Sequence, residues 1–307
     1  MIVNAIDVSV VIPTYNRSRD LGELLACLAR QVLNPDVSWE VIVVDNNSTD
    51  ETGRVLTEWA DRLPLRVERE PVRGSSSARN RGILAARGAL IVFADSDILV
   101  GSRWLQSFVE AAEDHPDFSY FGGLLKNRYE RQPPYWYVGA GQGSQSYMQL
   151  DTGVRPSTHL CGANWACRAT VLRAVGLFNV GLGPADLPAS ERRIVGNEAE
   201  LMDRLTAAGH RGLLLTAQEV IAEHRVSIQE MRLCYVIGWH FGLGRGEALR
   251  STLPCTRVLG FPRWRIRLMF TDIARLVGAV LLLDRRRSVR LLMRVAADAG
   301  YLYQSRR

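Results

Sequence analysis

The sequence predicts an α/β protein with a mostly parallel sheet, followed by a helical, arginine-rich C-terminal region. Three observations predict it. Short apolar, β-branched runs alternate with helix-period segments through the first hundred residues. Polar clusters stop three of those runs at their carboxyl ends. Basic charge collects after residue 249. At 307 residues with 47% hydrophobic and 23% charged residues, the chain is long enough for a full core without staples. A disordered tail protein, a collagen-like repeat and a disulfide scaffold are excluded.

Val8–Ile12 reads as a buried strand stopped by Pro13. Arg19–Val32 carries Leu21, Leu24, Leu25 and Leu28 at helical spacing. Trp39–Val44 is a second buried strand, ending in the polar cluster Asp45–Asp50. Asp50–Leu63 reads as a helix, Leu65–Glu68 as a short strand and Ser77–Ala86 as a helix ended by Gly88. Ala89–Ala94 is another strand and stops at Asp95-Ser96-Asp97. Alternation of this kind implies parallel pairing, and such sheets bind ligands beyond the carboxyl ends of their strands. Pro13–Arg17, Asp45–Asp50 and Asp95–Asp97 should therefore converge on one cleft.

The middle is less regular. Asn127–Gly143 reads as a long loop or hairpin, and Val180–Gly196, with its glycines and prolines, as a mobile lid. Glu198–Ala208 reads as a helix, followed by a strand near Leu213–Thr216 and the segment Val220–Val226. Ile228–Trp239 looks helical until Gly242, Gly244 and Gly246 break it, and two further helices are expected over Pro262–Asp284 and Ser288–Tyr303. The division expected is 1–226 for the α/β domain and 227–307 for the helical extension.

The net charge is +6, yet Arg250 to Arg307 holds 13 arginines against Asp272, Asp284 and Asp298, and the preceding residues are net acidic. Five scattered cysteines without a CxxC pair argue against a zinc cluster and for a reducing compartment. Met1 to Ile6 has no cation and Val8–Ile12 is too short for a leader's apolar segment, so no signal peptide is expected. The longest apolar run, Leu276–Leu283, cannot span a bilayer, which takes about 20 residues. GAGQG (Gly139–Gly143) and GLGRG (Gly242–Gly246) follow no strand, so neither reads as a dinucleotide loop.

Asp95-Ser96-Asp97 carries the chemistry. Carboxylates at i and i+2 leave an extended segment on the same side and suit a hard divalent cation. A solvated turn is the bland reading of so short a motif. Its company is more specific. VVIPTYNR (Val10–Arg17), VDNNSTD (Val44–Asp50), GSSSARNRG (Gly74–Gly82) and FADSD (Phe93–Asp97) occur in this order. The set resembles the nucleotide-sugar domain of the family 2 glycosyltransferases with a GT-A fold, over roughly Val8 to Arg225.

The resemblance implies an inverting, metal-dependent glycosyltransferase of the hexosyltransferase type, using a nucleotide-diphosphate sugar, UDP-linked first of all. It implies that Pro13, Tyr15, Asn16 and Arg17 line the nucleobase pocket, that Asp45 accepts from the base, and that Arg79 and Asn80 hold the nucleotide. Asp45 could instead simply cap beside Ser48. Asp95 would face the ribose or a metal-bound water, and Asp97 would coordinate Mn²⁺ or Mg²⁺ with Asp95 and His224 assisting. CGANWACR (Cys161–Arg168) resembles the segment beneath the acceptor site, making Asn164 and Trp165 acceptor-side candidates, although Trp165 also reads as packed. GNEAEL (Gly196–Leu201) stands where the family has GEDxEL. Glu198 then aligns with the general base, while Asn197 and Glu200 are acceptor-side candidates and Glu200 a rival base. The lid would close over the donor and exclude water.

The expected partners are a nucleotide-sugar donor, a saccharide or lipid-linked acceptor of cell-surface polysaccharide synthesis, and an anionic membrane surface met by the C-terminal helices, which read otherwise as ordinary helices packed on the domain with a solvated basic face; no nucleic acid is expected. The expected location is the cytoplasm, peripheral on the cytoplasmic face of the inner membrane. QEMRL (Gln229–Leu233) only faintly resembles the QxxRW motif of processive synthases, so processivity is disfavoured. Two alternatives stand beside the transferase. A nucleotidyltransferase is disfavoured by PTYNR, which lacks a glycine-rich phosphate loop. A non-catalytic saccharide-binding homologue is disfavoured by the joint presence of Asp97 and Glu198.

Overall fold

The structure, a computed structural model, describes residues 6–137, 153–183, 194–251, 256–258 and 260–306. The chain divides into two compact units. One comprises Met1–Arg128, Ser144–Val180 and Glu198–Arg225; the other comprises Tyr129–Gly143, Gly181–Asn197 and Val226–Arg307.

The first unit opens with β1 (Val8–Thr14), α1 (Ser18–Leu28), β2 (Trp39–Asp45), α2 (Thr52–Trp59), β3 (Leu65–Arg69), α3 (Ser75–Ala85) and β4 (Leu90–Ala94). There follow β5 (Ile98–Leu99), α4 (Trp104–Asp114), β6 (Tyr120–Gly123), β7 (Leu125–Tyr129), β8 (Val154–Pro156), β9 (Asn164–Arg168) and α5 (Ala169–Val175). Then come α6 (Asn197–Ala207), β10 (Gly212–Leu215) and β11 (Ala222–Val226). The main sheet runs β3-β2-β1-β4-β9-β6-β10-β8, and a smaller one β5-β11-β7. β1 pairs in parallel with β2 and β4, β2 with β3, and β10 with β6. β9 is antiparallel to β4 and β6, and β8 to β10.

The unbroken apolar runs follow from burial on both faces. Val10, Ile12, Val41, Val43 and Val92 point to one side, against Leu21, Leu24 and Leu25 of α1 and Trp104 and Phe108 of α4. Val11, Ile42, Val44, Ile91 and Phe93 point to the other, against Ile83 of α3, Leu172 of α5 and Leu201, Met202 and Leu205 of α6. The parallel pairing brings the carboxyl ends of β1 and β2 to one sheet edge, with Thr14 opposite Asp45.

The second unit holds α7 (Leu233–Arg250), α8 (Arg263–Leu281) and α9 (Arg285–Ser305). Tyr137, Val226, Met231, Val236 and Met293 form its apolar cluster. The expected break at Gly242, Gly244 and Gly246 does not occur: α7 runs through all three. These glycines serve proximity. A Cβ on Gly244 would overlap the Ala297 carbonyl, and one on Gly246 the Val195 carbonyl. Gly300 of α9 meets the Phe241 carbonyl in the same way.

Part of the arginine content is internal to this unit. Arg265 sits between Glu247 at 2.9 Å and Asp298 at 2.7 Å, with its guanidinium 4.6 Å from the Tyr301 ring centre. Asp272, fully buried, is met by Arg294 at 2.8 Å. Burial raises the pKa of Asp298 above the ordinary carboxylate value against the charge of Arg265. Among the described residues no helix is long and apolar enough to cross a membrane. Residues 184–193 of the expected lid and the segment Gly139–Gly143 lie outside the described residues; Gly183 and Ile194, flanking the former, form a β-bridge.

Candidate active site

Three loops at the carboxyl ends of β1, β2 and β4 supply the first group of side chains. Asp45 Oδ1 accepts the Ser48 N–H at 2.9 Å, which folds the loop after β2 back on itself. Asn16 takes the left-handed conformation at φ 50°, one an asparagine tolerates. Its N–H donates to Ser48 Oγ at 3.0 Å, and its Oδ1 accepts the Thr49 N–H at 2.7 Å. The β1 and β2 loops are thereby locked together. Next along the chain, Arg17 Nη1 lies 3.1 Å from Asp97 Oδ2 and 3.2 Å from Asp20.

The β4 loop is joined to more distant elements. Arg79, on α3 and only 3% exposed, reaches Asp95 with Nη2 at 2.6 Å and Glu198 with Nη1 at 2.7 Å. Burial works against its charge, but Asp95 and Glu198 outweigh that and raise its pKa above the usual value. β11 is antiparallel to β5, with His224 opposite Ile98, and this brings His224 Nε2 to 3.7 Å from Asp97 Oδ1. Arg225 donates its N–H to the Asp97 carbonyl at 3.0 Å, while its guanidinium grips Asp20 and Glu23, each at 2.6 Å. Contacts thus run from Glu198 through Arg79 to Asp95, and from Asp97 through Arg17 and Asn16 to Ser48 and Asp45.

The two carboxylates at the start of α6 differ in their partners. Glu198 lies over Gly162, where a Cβ would overlap its Cγ. Glu200 is paired with Arg204 at 2.8 Å and 3.0 Å. Arg204 in turn donates to the carbonyls of Val175, Gly176 and Leu177, so Glu200 supports the turn after α5.

Several predicted residues are placed differently. Asn164 is fully buried. Its Oδ1 accepts from Trp104 Nε1 at 2.8 Å, and its Nδ2 donates to the carbonyls of Leu124 at 3.0 Å and Val220 at 2.9 Å. Trp165 is also fully buried, stacked on Phe93 with ring centres 4.7 Å apart. Neither has a surface to offer an acceptor; the acceptor-side expectation for both is corrected to a core role. Asn80 directs its amide to the N–H and C=O of Phe178, both at 2.8 Å. Asn197 is buried. Pro13 is half-buried within β1, opposite Val44. Cys167 is buried and Cys161 half-buried; desolvation pushes the Cys161 thiol up to about 12 and Cys167 higher still, which disfavours the reactive thiolate at both.

The sequence reading missed Arg73. Its guanidinium lies 4.8 Å from the ring centre of Tyr15, which is itself exposed. The signal was a basic residue directly before the glycine that opens α3. A separate cavity of about 300 Å³, lined by Ser107, His115, Leu215 and Val220 among others, includes none of the predicted site residues.

Among the described residues, no group of three His, Cys, Asp or Glu stands close enough to form a metal cage. The donors nevertheless fit a hard or borderline cation in kind, since Asp95 and Asp97 offer carboxylates and His224 an imidazole. A Mg²⁺-like ion held by one or two carboxylates plus substrate phosphates needs no cage made wholly of protein.

This geometry, on a mostly parallel sheet with functional groups at strand carboxyl ends, is that of a GT-A protein. The chain belongs to glycosyl transferase family 2, whose model matches residues 9–176. The validoxylamine A glucosyltransferase of Streptomyces hygroscopicus subsp. limoneus is 41% identical over 105 residues, 34% of this chain and 23% of that protein. Glycosyltransferase AglE of Haloferax volcanii is 28% identical over 229 residues, 71% of this chain and 66% of that protein. The chain thus matches under two thirds of the length of these curated relatives. Among solved structures, the mannosyltransferase PcManGT from Pyrobaculum calidifontis, in complex with GDP-Man and Mn²⁺, aligns with a TM-score of 0.65 at 19% identity. That alignment covers 98% of this chain and 88% of that one. S. aureus TarS 1–349 in complex with UDP-GlcNAc aligns at 0.56 with 18% identity, covering 81% of this chain and 68% of that one. These likenesses establish the fold.

Proposed function

We propose that this chain is an inverting glycosyltransferase that moves a sugar from a nucleotide-diphosphate donor, UDP-linked first of all, to an acceptor hydroxyl. The observation that carries the reading is Arg79, which ties the carboxylate of the DxD loop to that of α6 through contacts of 2.6 Å and 2.7 Å. Glu198 takes the proton of the attacking hydroxyl, which adds to the anomeric carbon on the face opposite the leaving diphosphate and so inverts it. Gly162 and Arg79 set where that carboxylate stands. Tyr15 and Arg73 flank the base, and the remaining oxygen of Asp45 accepts its imide N–H. Arg17 presents positive charge on the diphosphate side. Asp97, with His224 and Asp95, would hold Mn²⁺ or Mg²⁺, which when bound supplies charge that stabilises the leaving diphosphate.

The acceptor proposed is a saccharide hydroxyl, with a lipid-linked saccharide at the cytoplasmic membrane face the first candidate. The exposed arginines of the C-terminal helices support that placement. The test is a thermal-shift screen of UDP- and GDP-sugars with and without Mn²⁺, followed by assay of nucleoside diphosphate release. A ligand bound only by the folded state raises its midpoint, by about 2.7 kcal/mol of stability at a hundredfold excess over Kd. Diphosphate release from UTP in place of UDP release from a UDP-sugar would overturn the reading. Binding without any turnover would turn it into a sugar-nucleotide-binding homologue.

A further inference from the structure

The turn between α8 and α9 exposes apolar surface that packing within its unit does not explain. Leu281, Leu282 and Leu283 are 77%, 75% and 86% exposed. Phe270, Val277 and Val280, also more than half exposed, continue the patch along one face of α8. Single exposed apolar residues are ordinary, whereas a contiguous patch marks an interaction site. Immediately after it come Arg285, Arg286, Arg287 and Arg290, all exposed. Between Ile273 and Ala297 the one acidic residue is Asp284, which caps α9 by accepting the Arg287 N–H at 2.9 Å. Arg286 is steadied by Tyr135, whose ring centre lies 4.3 Å from its guanidinium.

We propose that this turn docks on an anionic lipid bilayer, with Leu281, Leu282 and Leu283 inserted among the acyl chains and the four arginines meeting lipid phosphates. Charge selects this occupant. A second copy packed about a two-fold axis would bring one arginine cluster against its like, whereas a phosphate surface complements it. No described helix is long and apolar enough to cross a membrane, so the contact is with one leaflet. The proposal goes beyond the transfer reaction and does not depend on it.

The experiment is co-sedimentation of the full chain with vesicles of phosphatidylcholine alone and of phosphatidylcholine with phosphatidylglycerol. Binding is expected only to the latter, weakening as salt rises. The variant L281S/L282S/L283S lowers partitioning by about a thousandfold or more through lost apolar burial. The variant R285Q/R287Q/R290Q, which spares the contact of Arg286 with Tyr135, lowers it by about a hundredfold, at about fivefold per charge. Both keep the wild-type thermal midpoint and sugar-nucleotide binding, because the altered side chains are exposed. Failure of the wild type to bind anionic vesicles overturns the proposal. So does equal binding by the leucine variant, which leaves only charge adsorption. Self-association of the wild type that the leucine variant abolishes also overturns it, by making a second copy the occupant.

Discussion

Gly162 lies directly beneath the side chain of Glu198, so close that a Cβ there would overlap Glu198 Cγ. The glycine of CGAN and the acid of GNEAEL are thus one feature. Gly162→Ala should push the carboxylate aside while leaving the sheet intact. Displacement by about 1 Å costs on the order of a hundredfold in turnover. Steady-state kinetics should show kcat falling while the donor KM holds, with an unchanged circular dichroism spectrum.

Glu198 and Glu200 are separable by substitution. Glu198→Gln removes the proton acceptor and should lower kcat by about a thousandfold, with donor binding retained. Glu200→Gln breaks the pair with Arg204 and loosens the turn at Val175–Leu177. It should lower the melting midpoint while kcat stays within about threefold. The reverse pattern would identify Glu200 as the base.

Arg79→Gln leaves Asp95 and Glu198 without their shared cation. Removing one partner of a fully buried pair costs about 3–5 kcal/mol. Asp95 is 35% exposed and water relieves part of that, so a loss of about 2 kcal/mol is expected in denaturant unfolding. Transfer should fall with it, and Arg79→Lys, which reaches only one carboxylate at a time, should not restore it.

Asp97→Asn should lower turnover by about two orders of magnitude through lost stabilisation of the leaving group. A second readout is Mn²⁺ titration followed by electron paramagnetic resonance in the presence of UDP, where the variant should bind more weakly. Wild-type rates at saturating Mn²⁺ would remove Asp97 from the metal site.

Glu40 links stability to pH. Burial works to raise its pKa, but hydrogen bonds from Arg66, the Arg87 N–H and Ser9 outweigh burial and hold it below 4.5. A lowered folded value contributes stability above the unfolded pKa and loses it as pH falls through the folded one. Glu40→Gln should cost about 1–2 kcal/mol near neutral pH. The gap should shrink in urea titrations as pH drops below 4.5.

The strands of the first half were legible because burial on both faces leaves apolar runs at Val8, Trp39 and Leu90 that no solvent-facing pattern imitates. Their carboxyl-end loops were legible too, and the structure does bring Arg17 to Asp97 and Arg79 to Asp95. The other elements depend on distant partners. α4 carries no unusual local signal, and β9 is antiparallel inside an otherwise parallel stretch. Asn164 looked like a site residue because a buried, fully satisfied amide and a ligand-binding amide read alike in one dimension. Arg73 was overlooked because its partner, Tyr15, lies in another loop.

The glycines of α7 bear on how the second unit comes to be folded. Each glycine inside a helix disfavours it by about 1 kcal/mol relative to alanine. With Gly238, Gly242, Gly244 and Gly246, α7 is a poor helix in isolation. Close packing against the α9 backbone at Ala297 and Gly300 offsets that cost. The stability of α7 is therefore tied to α9, and a chain truncated ahead of Ala297 is expected to lose helix content in both.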